Sequence, residues 1–257
     1  MTSPSQPAAP DAEVAHFWDG VYQKFDPTAK VEGALELPQG APRLDGLQIL
    51  IVACGTGEHV IRACREAKKV TAIDISPKAV ANARAIAEYN GYDANYVIAD
   101  AGRSGLPENA FDVIWGSAVL HHLKHEEVAR EFARILRPDG VIYMLSEPTF
   151  FNPLLRWSYR LAFGKGRHGR RRKFLFFTRS GDEFEKPIEA GDLDFWRRDF
   201  KITAIPRGFM FLEKAGHVLS HNPAICRIFM KMDRGLLKIF PALKNYSYEY
   251  DFIFEKN

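Results

Sequence analysis

The sequence predicts a doubly wound α/β fold: a mostly parallel sheet with helices packed on both faces. Three observations predict it. Short apolar runs alternate with helical patterns from Leu47 to Ser146, the spacing between runs suits right-handed crossovers, and several runs end in glycine or aspartate. The chain has 257 residues, 46% of them hydrophobic and 26% charged, enough for one large domain with a substantial core.

Leu47–Val52 is a first strand by its branched apolar content, and Val60, Ala63, Cys64 and Ala67 then recur at helical spacing. Val70–Ile75 is a second strand. Ser76 and Pro77 start a helix as N-cap and first helical residue, and Asn90-Gly91 ends it. Asn95–Ala99 and Phe111–Trp115 are the third and fourth strands. A helix marked by Val128, Phe132 and Ile135 leads to a Pro138-Asp139-Gly140 turn and a fifth strand, Val141–Leu145. Lys201–Pro206 and Tyr248–Phe254 supply two more strands, and Val218–Phe240 an apolar helical stretch.

Outside this pattern, residues 1–12 read as a disordered tail and 13–257 as a single domain. Within it, 13–44 are expected to form lid helices at the N-terminus, centred on Val14–Phe25. Residues 148–200 read as an insertion too basic for a core of its own. The three cysteines, Cys54, Cys64 and Cys226, show no paired spacing, and no histidine cluster has ligand spacing, so no metal is expected. The N-terminus has no basic and apolar leader and no run reaches the ~20 apolar residues of a membrane span, so a cytoplasmic location is expected. A net charge of +3 does not by itself call for nucleic acid or membrane.

Strand one ends in Ala53-Cys54-Gly55-Thr56-Gly57, where two glycines allow a sharp turn and close approach to a ligand. The same pair also serves a bare strand-to-helix turn. Asp74 closes strand two 19 positions after Gly55, near the ~20-residue offset of a ribose-binding carboxylate, and Asp100 closes strand three. Ser117 stands just past the apolar run of strand four. Ligands of open parallel sheets lie at these carboxyl ends. The third glycine of a dinucleotide fingerprint is replaced by Val60, and no phosphate loop is present. A nucleoside without pyrophosphate, such as S-adenosylmethionine, satisfies those limits.

Taken together, Ile49–Gly57, Ala72–Ser76, Val97–Ala101, Phe111–Ile114, Leu120–Leu123 and Leu136–Gly140 resemble, in order, the motifs of class I S-adenosylmethionine-dependent methyltransferases. The resemblance covers about residues 45–147 and implies a Rossmann-like fold. It implies that backbone at Ala53, Cys54, Gly55 and Gly57 wraps the methionine moiety. It further implies that Asp74 takes the ribose hydroxyls, Ile75 packs on the adenine, Asp100 accepts from the adenine amino group, Ala101 reaches the ring and Ser117 lines the methionyl amine. The sequence departs from the family at Ile51, usually acidic, and at Ala53, usually glycine; Glu58 or the lid residue Tyr22 is expected to compensate.

Methyl transfer chiefly requires alignment of the acceptor, with a base only where a proton must leave. His121 and His122 after strand four, and Glu147 after strand five, are the candidate catalytic groups, with His121 the first choice; the same segment also reads as a capping and packing loop. Residues 148–180 contain no Asp or Glu but interleave arginines and lysines with aromatics. Family resemblance makes this segment a candidate substrate lid. It suits a small-molecule or lipid-like acceptor with an anionic part, contact with an anionic membrane surface through 153–177, RNA as the least favoured partner, or a solvated loop. The expected function is methyl transfer to a small-molecule or lipid-like acceptor. The rivals are a cofactor-binding protein that does not methylate and a nicotinamide-dependent oxidoreductase.

Overall fold

A computed structural model of the chain describes residues 11–41, 43–153, 156–157, 172–174, 177–179, 186–207, 212 and 223–257. Helix α1 (Ala12–Val21) precedes strand β1 (Gln48–Val52), helix α2 (Glu58–Cys64), β2 (Lys69–Asp74), α3 (Pro77–Asn90), β3 (Asn95–Ile98), β4 (Phe111–Ser117), α4 (His125–Ile135) and β5 (Leu136–Pro148). Then come a short hairpin, β6 (Arg172–Phe174) and β7 (Phe177–Arg179), followed by β8 (Phe200–Pro206), α5 (Pro223–Ile239) and β9 (Glu249–Lys256).

The main sheet has seven strands in the order β3-β2-β1-β4-β5-β9-β8. The first five run parallel, and β9 is antiparallel to both of its neighbours. The chain steps outward from β1 to β3 and then returns to the other side of β1 with β4. This reversal opens a crevice at the carboxyl ends of β1 and β4, where such sheets bind ligands.

Strand periodicity sorts the core into two layers. Leu50 and Val52 face α4 and pack with Phe132, Trp196, Phe252 and Phe254. Ile49 and Ile51 face α2 and α3 and pack with Val60, Ala83, Trp115 and Tyr143. The α3 boundaries follow the expected chemistry. Ser76 Oγ accepts the Ala79 N–H at 3.0 Å, Pro77 opens the helix, and Gly91 ends it in the left-handed region at φ 79°.

Three expectations change. Residues 13–44 hold one helix rather than several, since Pro27, Gly33, Pro38 and Gly40 interrupt any continuation. The turn at Pro138-Asp139-Gly140 lies inside β5 as a bulge between the Phe111–Leu136 and Val113–Val141 pairs. A Cβ on Gly140 would lie 2.6 Å from Leu136 Cγ, so the bulge closes tightly only on glycine. Finally, residues 186–200 belong to the main core rather than to a lid. Ile188, Leu193 and Trp196 are buried, and the Trp196 ring lies tilted against Phe254 with centroids 4.4 Å apart. Most of the basic segment 153–177 and nearly all of the 1–12 tail lie outside the described residues.

Candidate cofactor site

The glycine-rich turn after β1 is built from backbone that side chains rarely adopt: Ala53, Gly55 and Gly57 have φ of 52°, 51° and 90°. The turn is pinned by the Cys54 N–H donating to the Ile73 carbonyl at 3.0 Å and the Gly57 N–H donating to Cys54 at 2.8 Å. Gly57 is obligatory for packing, as a Cβ there would meet the Ala83 backbone at 2.6 Å. Ala53 sits where glycine would relax the chain. Ala118 at the end of β4 and Ser146 near the end of β5 share this left-handed backbone, at φ 50° and 58°. Strained residues thus cluster at the carboxyl ends of three adjacent strands, as they do at binding sites generally.

Asp74 closes β2 with its side chain almost wholly buried, and its carboxylate accepts N–H groups from Gly55 at 3.0 Å and Ser76 at 2.9 Å. Burial raises its pKa, and these N–H donors oppose the rise. Asp100 closes β3 and accepts the Gly102 N–H at 2.7 Å. Between these ends lies a cavity of ≈ 210 Å³. Its wall includes Ala53, Asp74, Ile75, Asp100, Ala101 and Ser117, six of the expected cofactor contacts, and also Tyr22. Cys54, Gly55 and Gly57 shape the turn behind that wall.

Helix α1 crosses the cavity, contributing Asp11, Val14, Trp18 and Tyr22. It is held down by hydrogen bonds to α3. Asp19 Oδ1 accepts from Ser76 Oγ at 2.5 Å and the Lys78 N–H at 3.0 Å, and the Tyr22 carbonyl accepts from Asn82 at 3.0 Å. Burial, and then the charge of Asp74, push the Tyr22 hydroxyl pKa up, so it stays protonated as a donor. A Cβ on Gly55 would sit 3.1 Å from that hydroxyl, which fits a glycine beneath the lid. Glu58, the other expected substitute for the missing acid, faces outward beside Arg62 at 3.5 Å and is absent from the cavity wall. Ile51 is buried in the core.

Trp18 was not legible as a site residue, although it lies one helical turn before Tyr22 and so on the same face. Its ring meets His122 edge-on at 5.1 Å, and both line the cavity. His121 and Glu147 stand behind that wall. The fully buried Glu147 carboxylate accepts N–H groups from Val119 and Leu120 at 2.9 Å and from His121 at 3.3 Å. His121 Nδ1 lies 2.8 Å from Glu147 Oε2, close enough to donate to the carboxylate. The two histidine rings are 4.0 Å apart.

The donor set distinguishes between nucleotides. Among the described residues, Asp11, Asp74 and Asp100 line the cavity against a single lysine, Lys124. Such a wall suits a ligand carrying a sulfonium and an ammonium, with hydroxyls for Asp74 and an exocyclic amine for Asp100. The residues therefore fit S-adenosylmethionine, and Val60 stands where a dinucleotide fingerprint has its third glycine.

Comparison with known proteins agrees. Residues 50–144 match the family model described as a methyltransferase domain. The chain is 38% identical over 117 residues to a 27-O-demethylrifamycin SV methyltransferase of Amycolatopsis mediterranei, covering 44% of this chain and 41% of that protein. It is 34% identical over 111 residues to a tRNA U34 carboxymethyltransferase of Aeromonas hydrophila, covering 42% and 34%. It is 33% identical over 116 residues to a ubiquinone biosynthesis O-methyltransferase of Methylocella silvestris, covering 44% and 45%. The chain thus spans less than half the length of these curated relatives. Among solved structures, the geranyl diphosphate C-methyltransferase of Streptomyces coelicolor A3(2) superposes with a TM-score of 0.54 over 95% of this chain and 97% of that one. At 10% identity this likeness speaks for the fold alone. Family match, strand order and the acidic cavity agree: residues 50–144 resemble the methyltransferase domain in sequence and in strand arrangement.

Proposed function

We propose that the protein transfers the methyl group of S-adenosylmethionine to a small-molecule or lipid-like acceptor. The observation that carries this reading is the lidded cavity at the β1/β4 reversal, where Asp74, Asp100 and Ser117 share one wall. When bound, the cofactor supplies a methyl group already activated by its sulfonium. The protein's own residues have three tasks. Asp74 and Asp100 fix the adenosine, α1 excludes water through Trp18 and Tyr22, and the Ser117–Leu123 segment borders the methyl end. In this reading His122 is the histidine nearest the acceptor and receives a proton where the acceptor must lose one. Glu147 orients His121, whose ring buttresses His122.

The relatives named for a demethylrifamycin and for ubiquinone biosynthesis favour a small or lipid-like acceptor. The relative named for tRNA U34 makes RNA the reading to test against. Calorimetry of the purified chain with S-adenosylmethionine, S-adenosylhomocysteine and NAD comes first. Micromolar binding of the first two and none of the third is expected; NAD binding alone would overturn the assignment. Incubation with methyl-labelled cofactor and either extracted metabolites or bulk RNA then separates the acceptors. Label in the organic-soluble fraction is expected, label in RNA would replace the acceptor class, and binding without labelled product would favour a cofactor-binding protein that does not methylate.

A further inference from the structure

Helix α5 (Pro223–Ile239) carries an apolar stripe that faces solvent. Ile228, Met232 and Ile239 fall three, seven and fourteen positions after Ile225, which at 3.6 residues per turn is a single line along the helix. Ile228, Met232 and Ile239 are 57%, 48% and 69% exposed, high values for residues of this kind on one face. Past the helix end, Phe240 and Tyr246 are also exposed, at 57% and 48%.

Beside it runs a second line. Arg227, Lys231, Arg234 and Lys238 are all exposed and follow one another at helical spacing. The single acid of the helix, Asp233, is buried and accepts the Leu212 N–H at 3.1 Å, so it does not face that surface. An exposed apolar line flanked by cations and free of exposed acid is the pattern of a helix lying in the plane of a membrane interface. No helix among the described residues is long and apolar enough to cross a bilayer, which agrees with a surface contact.

We propose that α5 docks the protein on the surface of an anionic phospholipid bilayer, its apolar stripe entering the headgroup boundary and its basic line meeting lipid phosphates. Charge complementarity selects this partner. The cations meet lipid phosphates where the stripe meets acyl chains, whereas a nucleic acid would leave the isoleucines and methionine wet. The proposal rests on α5 alone and stands apart from the reaction proposed above.

The test is co-sedimentation of the full chain with vesicles of phosphatidylcholine, with and without phosphatidylglycerol. Binding is expected to the anionic vesicles only, and to weaken as salt rises. The triple variant Ile228→Asp, Met232→Asp, Ile239→Asp alters exposed positions and is expected to keep its thermal unfolding transition while losing vesicle binding. Neutralising Arg227, Lys231, Arg234 and Lys238 to Gln is expected to weaken binding about fivefold per charge, equivalent to ~1 kcal/mol each. Absence of binding to anionic vesicles overturns the proposal. So does binding that survives the triple variant but is lost when Arg170, Arg171 and Arg172 are neutralised, because the other basic segment would then be the anchor. A dimer in light scattering that the triple variant makes monomeric would assign the stripe to a second copy instead.

Discussion

Two buried carboxylates lie near strand ends in this protein, and they have opposite relations to the cavity. Asp74 accepts two backbone N–H groups and still shows a face to the ligand space. Glu147 is fully buried, accepts three backbone N–H groups and a histidine ring nitrogen, and lies behind the wall. A carboxylate at a strand end is thus no sufficient sign of a ligand contact. What decides is how much of its accepting capacity the local backbone consumes.

The sharpest test of this contrast is Glu147→Ala. Deleting a carboxylate that satisfies so many buried donors is expected to cost about 3–5 kcal/mol of stability in urea unfolding. A loss below ~1 kcal/mol would mean that water replaces the carboxylate and that the two sites do not differ. Asp74→Ala should act on the other side of the contrast. S-adenosylmethionine affinity is expected to fall by about 1.5–3 kcal/mol in calorimetry, the scale of lost charge-assisted hydrogen bonds. Its stability should suffer less than that of Glu147→Ala, because water in the cavity can reach the freed donors. Unchanged affinity would make Asp74 structural as well.

Acidity offers a third comparison. His125, on the Glu147 side, accepts from Trp196 Nε1 at 3.1 Å and is held down to a pKa of about 4, mainly by burial. The folded state therefore binds fewer protons than the unfolded state between that value and the ordinary 6.5. Stability is complete above this window and is lost as pH falls through it, by about 2 kcal/mol between neutrality and roughly pH 5. His125→Gln is expected to flatten that slope in urea titrations; an unaltered slope would locate the acid sensitivity elsewhere. The smallest effect belongs to Ala53→Gly. Relief of the left-handed φ of 52°, offset by the freedom glycine gains when unfolded, is expected to stabilise by ~0.5 kcal/mol. A loss of stability would show that the turn is not strained there.

The contrast also explains what could be read beforehand. The four strands from β1 to β4 and the glycine turn were legible because each buried strand is a short branched-apolar run closed by a residue with a backbone role. Asp74 and Asp100 followed from their positions at strand ends. Glu147 was identified as a residue of interest, but its bonding depends on Val119–His121, 26 to 28 positions away, which no local pattern reveals. The fifth strand outran its apolar run because β9 pairs with it through Pro148, across a register shift between Met144 and Glu147. Trp196 was hidden for a related reason. Its neighbours are charged and it looked like part of a basic insertion, yet its ring closes the core beneath β9.

Asp19 carries one last consequence. The same carboxylate that fastens α1 across the cavity also completes the N-terminal cap of α3, through Ser76 and Lys78. Lifting α1 off the cavity breaks both bonds at once and leaves the first turn of α3 with Ser76 Oγ as acceptor for the Ala79 N–H. The lid and the helix that follows the Asp74 turn are thus tied through a single side chain.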